Sequence, residues 1–217
     1  MQPQSEPLVR STANMIQRTT DIGDIHVRAF STPAEIRSYH FDPQFKSYPQ
    51  YKSIFTKRST LEAFAALEGT NVTLALTPDR RIIGFGVLAF PEPDERWADL
   101  GPGAMMEVKA IEVGRGWRGH KIAQDILAML LTHPRLEQMI VYMVGYSWTW
   151  DLDGTRLTAQ QYRNMLIDLF SAQGFREFQT NEPNLCLKPE NLFMGRIGAQ
   201  VSDRMRKSFK WLCFGIS

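Results

Sequence analysis

At 217 residues, with 43% hydrophobic and 22% charged residues, the chain is long enough for one domain with a sizeable core and short for two. A net charge of +2 leaves no electrostatic footprint for nucleic acid, and no apolar run approaches the roughly 18–20 residues that span a bilayer. Cys186 and Cys213 stand far apart, and His26, His40, His120 and His133 have no ligand spacing, so neither a disulfide framework nor a metal site is expected.

Residues 1–20 are polar and lack the apolar core of a secretory signal, so they read as a flexible arm of a cytoplasmic protein. One domain follows over 21–201. Residues 24–30 (DIHVRAF) form a short strand. The run from Ser31 to Glu35 supplies an N-cap, a proline near N1 and a first-turn Glu for a helix ending near His40. Residues 41–59 are aromatic and irregular, with Pro43 and Pro49. Ser59 or Thr60 caps the next helix, which Gly69 ends. Val72, Leu74 and Leu76 alternate with smaller or polar residues. After Pro78 and Asp79, residues 81–90 return as the second strand of a hairpin. Gly84 and Gly86 mark a bulge or close packing there. A long loop, 91–103, leads to an apolar strand, a turn and a helix over 104–131. Another strand follows at 138–146. Thr158 and Gln161 form a capping box for a helix whose apolar face is Tyr162, Met165, Leu166, Leu169 and Phe170. Gly174 closes it. Short strands fall near 177–180 and 192–197, and the tail, 202–217, reads as a solvated basic amphipathic helix.

The stretch 104–131, AMMEVKAIEVGRGWRGHKIAQDILAMLL, carries the chemistry. A strand running through a Gly- and Arg-rich turn into a helix points backbone N–H groups at one spot, where the helix N-terminus adds partial positive charge. That is a site for phosphate or pyrophosphate. The plain alternative is a turn that binds nothing. The chain has no GxxxxGK[ST] and no GxGxxG fingerprint, so neither a P-loop nor a dinucleotide site is expected.

The run Arg118, Gly119, His120, Lys121, Ile122, Ala123 resembles the pyrophosphate loop RGxGxA of the GNAT superfamily of acyl-CoA N-acyltransferases, with Lys121 at the central glycine. The block YSWTWDLDGT from Tyr146, the YRxM helix after it, AIEV before the turn, ERW at 95–97 and the late RIG are similar to the bacterial acetoin-utilisation acetyltransferases, over roughly residues 24–201. The resemblance implies an α/β (α+β) GNAT fold: a mixed central sheet, splayed between its fourth and fifth strands, with helices on both faces. It also implies acetyl-CoA as cosubstrate and no metal. The pyrophosphate would lie on the amides of Arg118, Gly119, His120, Lys121, Ile122 and Ala123, with the Arg115 and Arg118 side chains beside it. The backbone of Ile111 and Val113 would pair with the pantetheine.

Acetylation of an amine also needs a base, because a lysine amine has a reference pKa of about 10.4. Glu112 is the first candidate and Glu107 the second. In a regular strand the two face opposite ways. The superfamily's usual acid, a tyrosine in the late helix, is replaced by Phe170, which leaves the thiolate to Tyr146, Tyr162 or water. Tyr146, Trp148, Trp150 and Asp151 form a candidate partner surface, with a core role as the alternative for the tryptophans. By resemblance the partner is AMP-forming acetyl-CoA synthetase, acetylated on its active-site lysine, which would close a feedback loop on acetate and acetoin metabolism. A non-catalytic CoA-sensing regulator and a small-amine acetyltransferase are the competing readings.

Overall fold

The computed structural model describes residues 9–12, 14–47 and 56–216. The expectations for residues 1–8 and for 48–55 with Pro49 lie outside these. The chain divides into two compact units, Met1–Val87 with Ala110–Thr132, and Leu88–Lys109 with His133–Ser217.

The first unit holds strands β1 (Val9–Thr12), β2 (Met15–Thr20), β3 (Gly23–Arg28), β5 (Asn71–Leu76) and most of β6 (Arg81–Ala89), with the end of β7 (Met105–Val113). They lie in the order β1-β2-β3-β5-β6-β7. A short strand β4 (His40–Phe41) runs parallel to β6, whereas β1, β2, β3 and β5 pair antiparallel. The expected arm therefore supplies two strands. In β2 Ile16 and Arg18 both turn inward, and a buried arginine hides the period-2 signal.

Helix α1 (Pro33–Ser38) starts at Thr32. The Thr32 hydroxyl accepts from Glu35 N, the Glu35 carboxylate accepts from Thr32 N, and Pro33 sits in the first turn. Helix α2 (Gln44–Ser47) is a single turn. Helix α3 (Arg58–Ala66) begins at Lys57 without a side-chain cap, so Ser59 and Thr60 lie inside its first turn and do not cap it. Every residue of β5 is buried, because α3 and helix α4 (Ile122–Leu130) both pack on it. The alternation seen in its sequence is one of size and not of exposure.

In the second unit the start of β7 runs parallel to β8 (Ile140–Gly145) over three residues of each strand, Met105↔Ile140 to Glu107↔Tyr142. β10 (Leu192–Ile197) lies antiparallel to β8 along all six of its residues, and β9 (Arg176–Glu177) covers β10. β9 is shorter than the strand expected over 177–180. The mixed sheet of the expected fold is present. The strands named fourth and fifth in the sequence are β7 and β8 because β1, β2 and β4 precede them.

Helices α5 (Leu152–Thr155), α6 (Ala159–Ser171), α7 (Pro183–Cys186) and α8 (Asp203–Leu212) complete the unit. Thr158 and Gln161 form the expected capping box of α6. On its expected apolar face Phe170 is buried, but Met165 is exposed. The core is aromatic: Trp97 stacks on Phe193 at 4.4 Å and tilts against Tyr142 at 5.4 Å. Phe209, Leu212 and Cys213 join that cluster. The tail is therefore part of the core: α8 buries one apolar stripe and leaves Arg204, Lys207 and Lys210 in solvent.

Candidate functional site

β7 ends at Val113, and the chain turns at once. Gly114 N donates to Ile83 O at 2.9 Å, and Arg115–Trp117 form one 3-10 turn. The turn is held from outside: Gly116 N donates to Gln44 Oε1 at 2.7 Å, and Trp117 Nε1 to Asp42 Oδ2 at 3.3 Å. Arg118 Nε donates back to Val113 O at 3.3 Å. The chain then passes through two left-handed residues, Gly119 (φ +87) and Lys121 (φ +62), and enters α4 at Ile122.

Lys121 is the N-cap residue and makes no side-chain cap bond. The first N–H groups of α4 are those that helical geometry leaves without intrahelical acceptors. A Cβ built on Gly119 would meet nothing within 4 Å, so that face of the turn is open. The left-handed backbone at Lys121 also explains why the motif prefers glycine there. A residue with a Cβ pays roughly 1–2 kcal/mol in that region. The side chains of Arg115 and Arg118 are half-buried at the turn. His120 turns its Nδ1 toward Asp21, 3.2 Å from Oδ1.

Three contacts seat α4 behind the turn. Arg18 of β2 donates from Nε and NH2 to the two oxygens of Asp125 at 2.6 and 2.7 Å, with both residues 7% exposed. Asn71 of β5 donates to Met129 O and Leu130 O at 2.9 and 3.1 Å, holding the last turn. Gly84 and Gly86 let the helix close on β6: a Cβ on Gly86 would lie 2.5 Å from Ile126 Cγ2. Close packing therefore accounts for these glycines. Sequence reasoning missed Arg18 and Asn71, whose partners lie 107 and 58 residues away.

The site residues fall into two groups. Ile111, Glu112 and Val113 belong to the first unit with Arg115, Arg118, Gly119, His120, Lys121, Ile122 and Ala123. Glu107 belongs to the second, in a cluster of four. Lys109 Nζ lies 2.8 Å from Glu107 Oε2 and 3.5 Å from Glu95 Oε1, and Tyr142 Oη donates to Glu95 Oε2 at 3.2 Å. Burial pushes the Glu107 carboxyl above its ordinary value, against the pull of Lys109. Burial draws the Lys109 ammonium down, but the two carboxylates outweigh it and leave its pKa raised. Burial, Glu107 and Glu95 push the Tyr142 phenol far up. The Glu107/Lys109 spacing of two along one strand was the available signal.

The aromatic block divides. Trp148 is 54% exposed, stacks on Tyr146 at 4.6 Å and lies under Lys188 Nζ at 5.0 Å. Trp150 instead stacks on Tyr162 of α6 at 5.0 Å. Asp151 is buried and accepts from Gly154 N at 3.0 Å, capping α5, so its carboxylate faces the protein and not a partner. Phe170 packs edge-on against Phe175 at 5.1 Å and brings no hydroxyl. The Tyr146 hydroxyl is pushed up to about 12 by burial, then by Glu182, Glu107 and Glu95. Among the described residues, no group of three His, Cys, Asp or Glu is placed to hold a metal, and no helix is long and apolar enough to cross a membrane.

No protein-family model matches the chain. The acetoin utilization protein AcuA of Bacillus licheniformis is 29% identical over 196 residues, 90% of this chain and 91% of that protein. AcuA of Bacillus subtilis is 28% identical over 195 residues, again 90% and 91%. A crystal structure of an acetoin utilization protein from Exiguobacterium sibiricum superposes with a TM-score of 0.83 at 26% identity, covering 98% of this chain and 97% of that one. The GNAT domain of S. lividans PAT shares the fold at a TM-score of 0.51 and 13% identity, covering 83% of this chain and 95% of that one. Turn, sheet and relatives agree: the chain is similar over nine-tenths of its length to the acetoin utilization proteins AcuA and shares the fold of a GNAT domain.

Proposed function

We propose that the protein uses acetyl-CoA to acetylate a protein lysine, and that its substrate is AMP-forming acetyl-CoA synthetase, inactivated in the cytoplasm by modification of its active-site lysine. The observation that supports this most is the open, left-handed turn heading α4, in a chain similar to AcuA over nine-tenths of its length. Backbone amides at a helix N-terminus suit a diphosphate, and the Arg115 and Arg118 side chains add charge beside it. The backbone of Ile111 and Val113 would take the pantetheine as an added strand.

The amine must first lose a proton, and Glu112, immediately ahead of the turn, is the favoured acceptor, with Glu107 second. The amine nitrogen then bonds to the acetyl carbonyl carbon and the C–S bond breaks. CoA leaves as thiolate, and the second proton, which the nitrogen sheds as the amide forms, reaches the sulfur through water, Phe170 having none to give. Acetylation removes the target lysine's charge. Tyr146, Trp148 and Trp150 supply an aromatic docking edge of the kind a protein substrate needs.

The test is to incubate the protein, acetyl-CoA and the synthetase, and to weigh the synthetase intact. One added acetyl group, with activity falling in proportion, is expected. Glu112→Gln should abolish it; loss on Glu107→Gln alone moves the base to Glu107. Inhibition without a mass change, at equimolar protein, identifies a non-catalytic regulator, the reading that Phe170 and Lys121 keep alive. Turnover of free polyamines with none on the synthetase identifies a small-amine enzyme. Gly119→Val places a branched side chain at φ +87, and calorimetry should show weakened CoA binding with an unchanged circular-dichroism spectrum.

A further inference from the structure

We infer that Arg18 is a positioning residue for acetyl-CoA: by cancelling the charge of Asp125 it keeps the head of α4 fit for an anion. The inference rests on the reading of the turn as the pyrophosphate site. Asp125 stands in the first turn of α4, two residues beyond Ala123. A carboxylate there suits the helix dipole, but it competes for the same partial charge that would hold a diphosphate. Arg18 meets it with two of its nitrogens at 2.6 and 2.7 Å, in a site from which water is nearly excluded. In such a setting charges act at longer range than in solvent, so whether Asp125 is cancelled matters to an anion one helical turn away. Arg18 comes from β2, a strand that the sequence reading assigned to a flexible arm. The N-terminal segment is thereby tied to cosubstrate binding.

A purely mechanical clamp is the alternative, and the two differ in sign. If the pair only holds α4 in place, breaking it from either side loosens the turn and weakens CoA binding. If charge cancellation is the role, the two sides act in opposite directions. Arg18→Met leaves a carboxylate at the helix head, and Asp125→Asn leaves an uncompensated guanidinium. Asn can still accept from Arg18, so that variant retains a hydrogen bond.

CoA affinity measured by calorimetry at pH 8 on the full chain, with acetyl-CoA KM and kcat on the synthetase, decides the matter. Arg18→Met should raise the CoA Kd about tenfold, with the loss shrinking as salt is added. Asp125→Asn should leave Kd unchanged or lower it about two- to threefold. In both, KM should follow Kd, with kcat held within about twofold. Weaker binding by folded Asp125→Asn overturns the inference, and this arm stands even if Arg18→Met fails to fold. Unchanged Kd in both variants overturns it too. If the unaltered protein binds no CoA, the pyrophosphate reading itself falls, and this inference with it.

Discussion

Each unit of the molecule buries a group of charges, and the two groups are balanced differently. In the first, Arg18 faces Asp125 one to one, and every donor aimed at the carboxylate is spent. In the second, Glu95 and Glu107 share one ammonium, Lys109, with a phenol donating to one of them. An unbalanced cluster carries excess negative charge in a poorly solvated place, and holding a proton relieves it. Burial, with a smaller push from Glu95, holds the Glu107 carboxyl above its ordinary value despite the lysine beside it. Burial of charge thus serves two ends here: one group fixes a helix, and the other keeps a titrating carboxyl on the strand that carries both candidate bases.

Removing the shared cation breaks the second group most severely. Lys109→Met leaves two carboxylates with a phenol and no ammonium, and losing one partner of a buried ionic group typically costs about 3–5 kcal/mol. Urea unfolding at neutral pH should show that loss, and lowering the pH should recover part of it, because protonating Glu107 removes part of the unpaired charge. A loss independent of pH would mean that the lysine stem's packing, not its charge, is what matters.

A smaller effect is expected where the first unit seats its helix. Gly86→Val places atoms 2.5 Å from Ile126 Cγ2 and 2.8 Å from Leu130 Cδ1. Overpacking of this kind costs about 1–3 kcal/mol. It should also weaken CoA binding, since α4 carries the turn, whereas Lys109→Met should leave CoA affinity nearly unchanged. That contrast separates the two regions in a single set of titrations.

These contacts show what a linear reading can and cannot reach. The capping boxes at Thr32 and Thr158, the turn at Gly119 and the strand and helix around it are local: each signal lies within a few residues of the element it makes. Arg18, Asn71 and α8 are not local. Arg18 reads as part of the polar arm until Asp125 is brought to it, and Asn71 carries no signal of its own until it meets the carbonyls of Met129 and Leu130. The tail looks like a solvated basic helix because its charges outnumber the stripe of Phe209 and Leu212 that docks into the Trp97 core. The motif named the turn, and the fold supplied what holds the turn still. Asp151, a polar residue in a suggestive block, is buried and caps α5, which its sequence neighbourhood did not announce.

The cluster also sets a pH dependence. In the folded protein Glu107 holds its proton more tightly than in the unfolded chain. Between the ordinary glutamate value and the raised folded one, the folded state therefore binds more protons, and its stability falls as pH rises through that window. Lys109 acts at the other end: its folded value is raised, so its contribution is complete below the ordinary lysine value and is lost as pH climbs through the folded one. Glu107→Gln should flatten the acid-side slope at a cost of about 1 kcal/mol. Thermal midpoints across the acid and neutral range check this, and a slope that survives the substitution assigns the proton elsewhere.

The smallest expected effect lies at the turn itself, at Lys121. Its left-handed backbone costs a residue with a Cβ roughly 1–2 kcal/mol, and glycine would remove that strain while adding about 0.5–1 kcal/mol of unfolded-state entropy. Lys121→Gly should therefore raise stability by about 0.5–1 kcal/mol, read as a higher urea midpoint at an unchanged slope. The same change removes an exposed ammonium from the N-cap of the helix whose head would receive the diphosphate. If that ammonium pairs with the anion, CoA affinity should fall by less than about tenfold, and the fall should vanish at high salt, as an exposed ion pair requires. If instead it crowds the ligand, affinity should rise with stability. Stability and affinity moving apart would show that this lysine is kept at the motif's glycine position for the ligand and not for the fold.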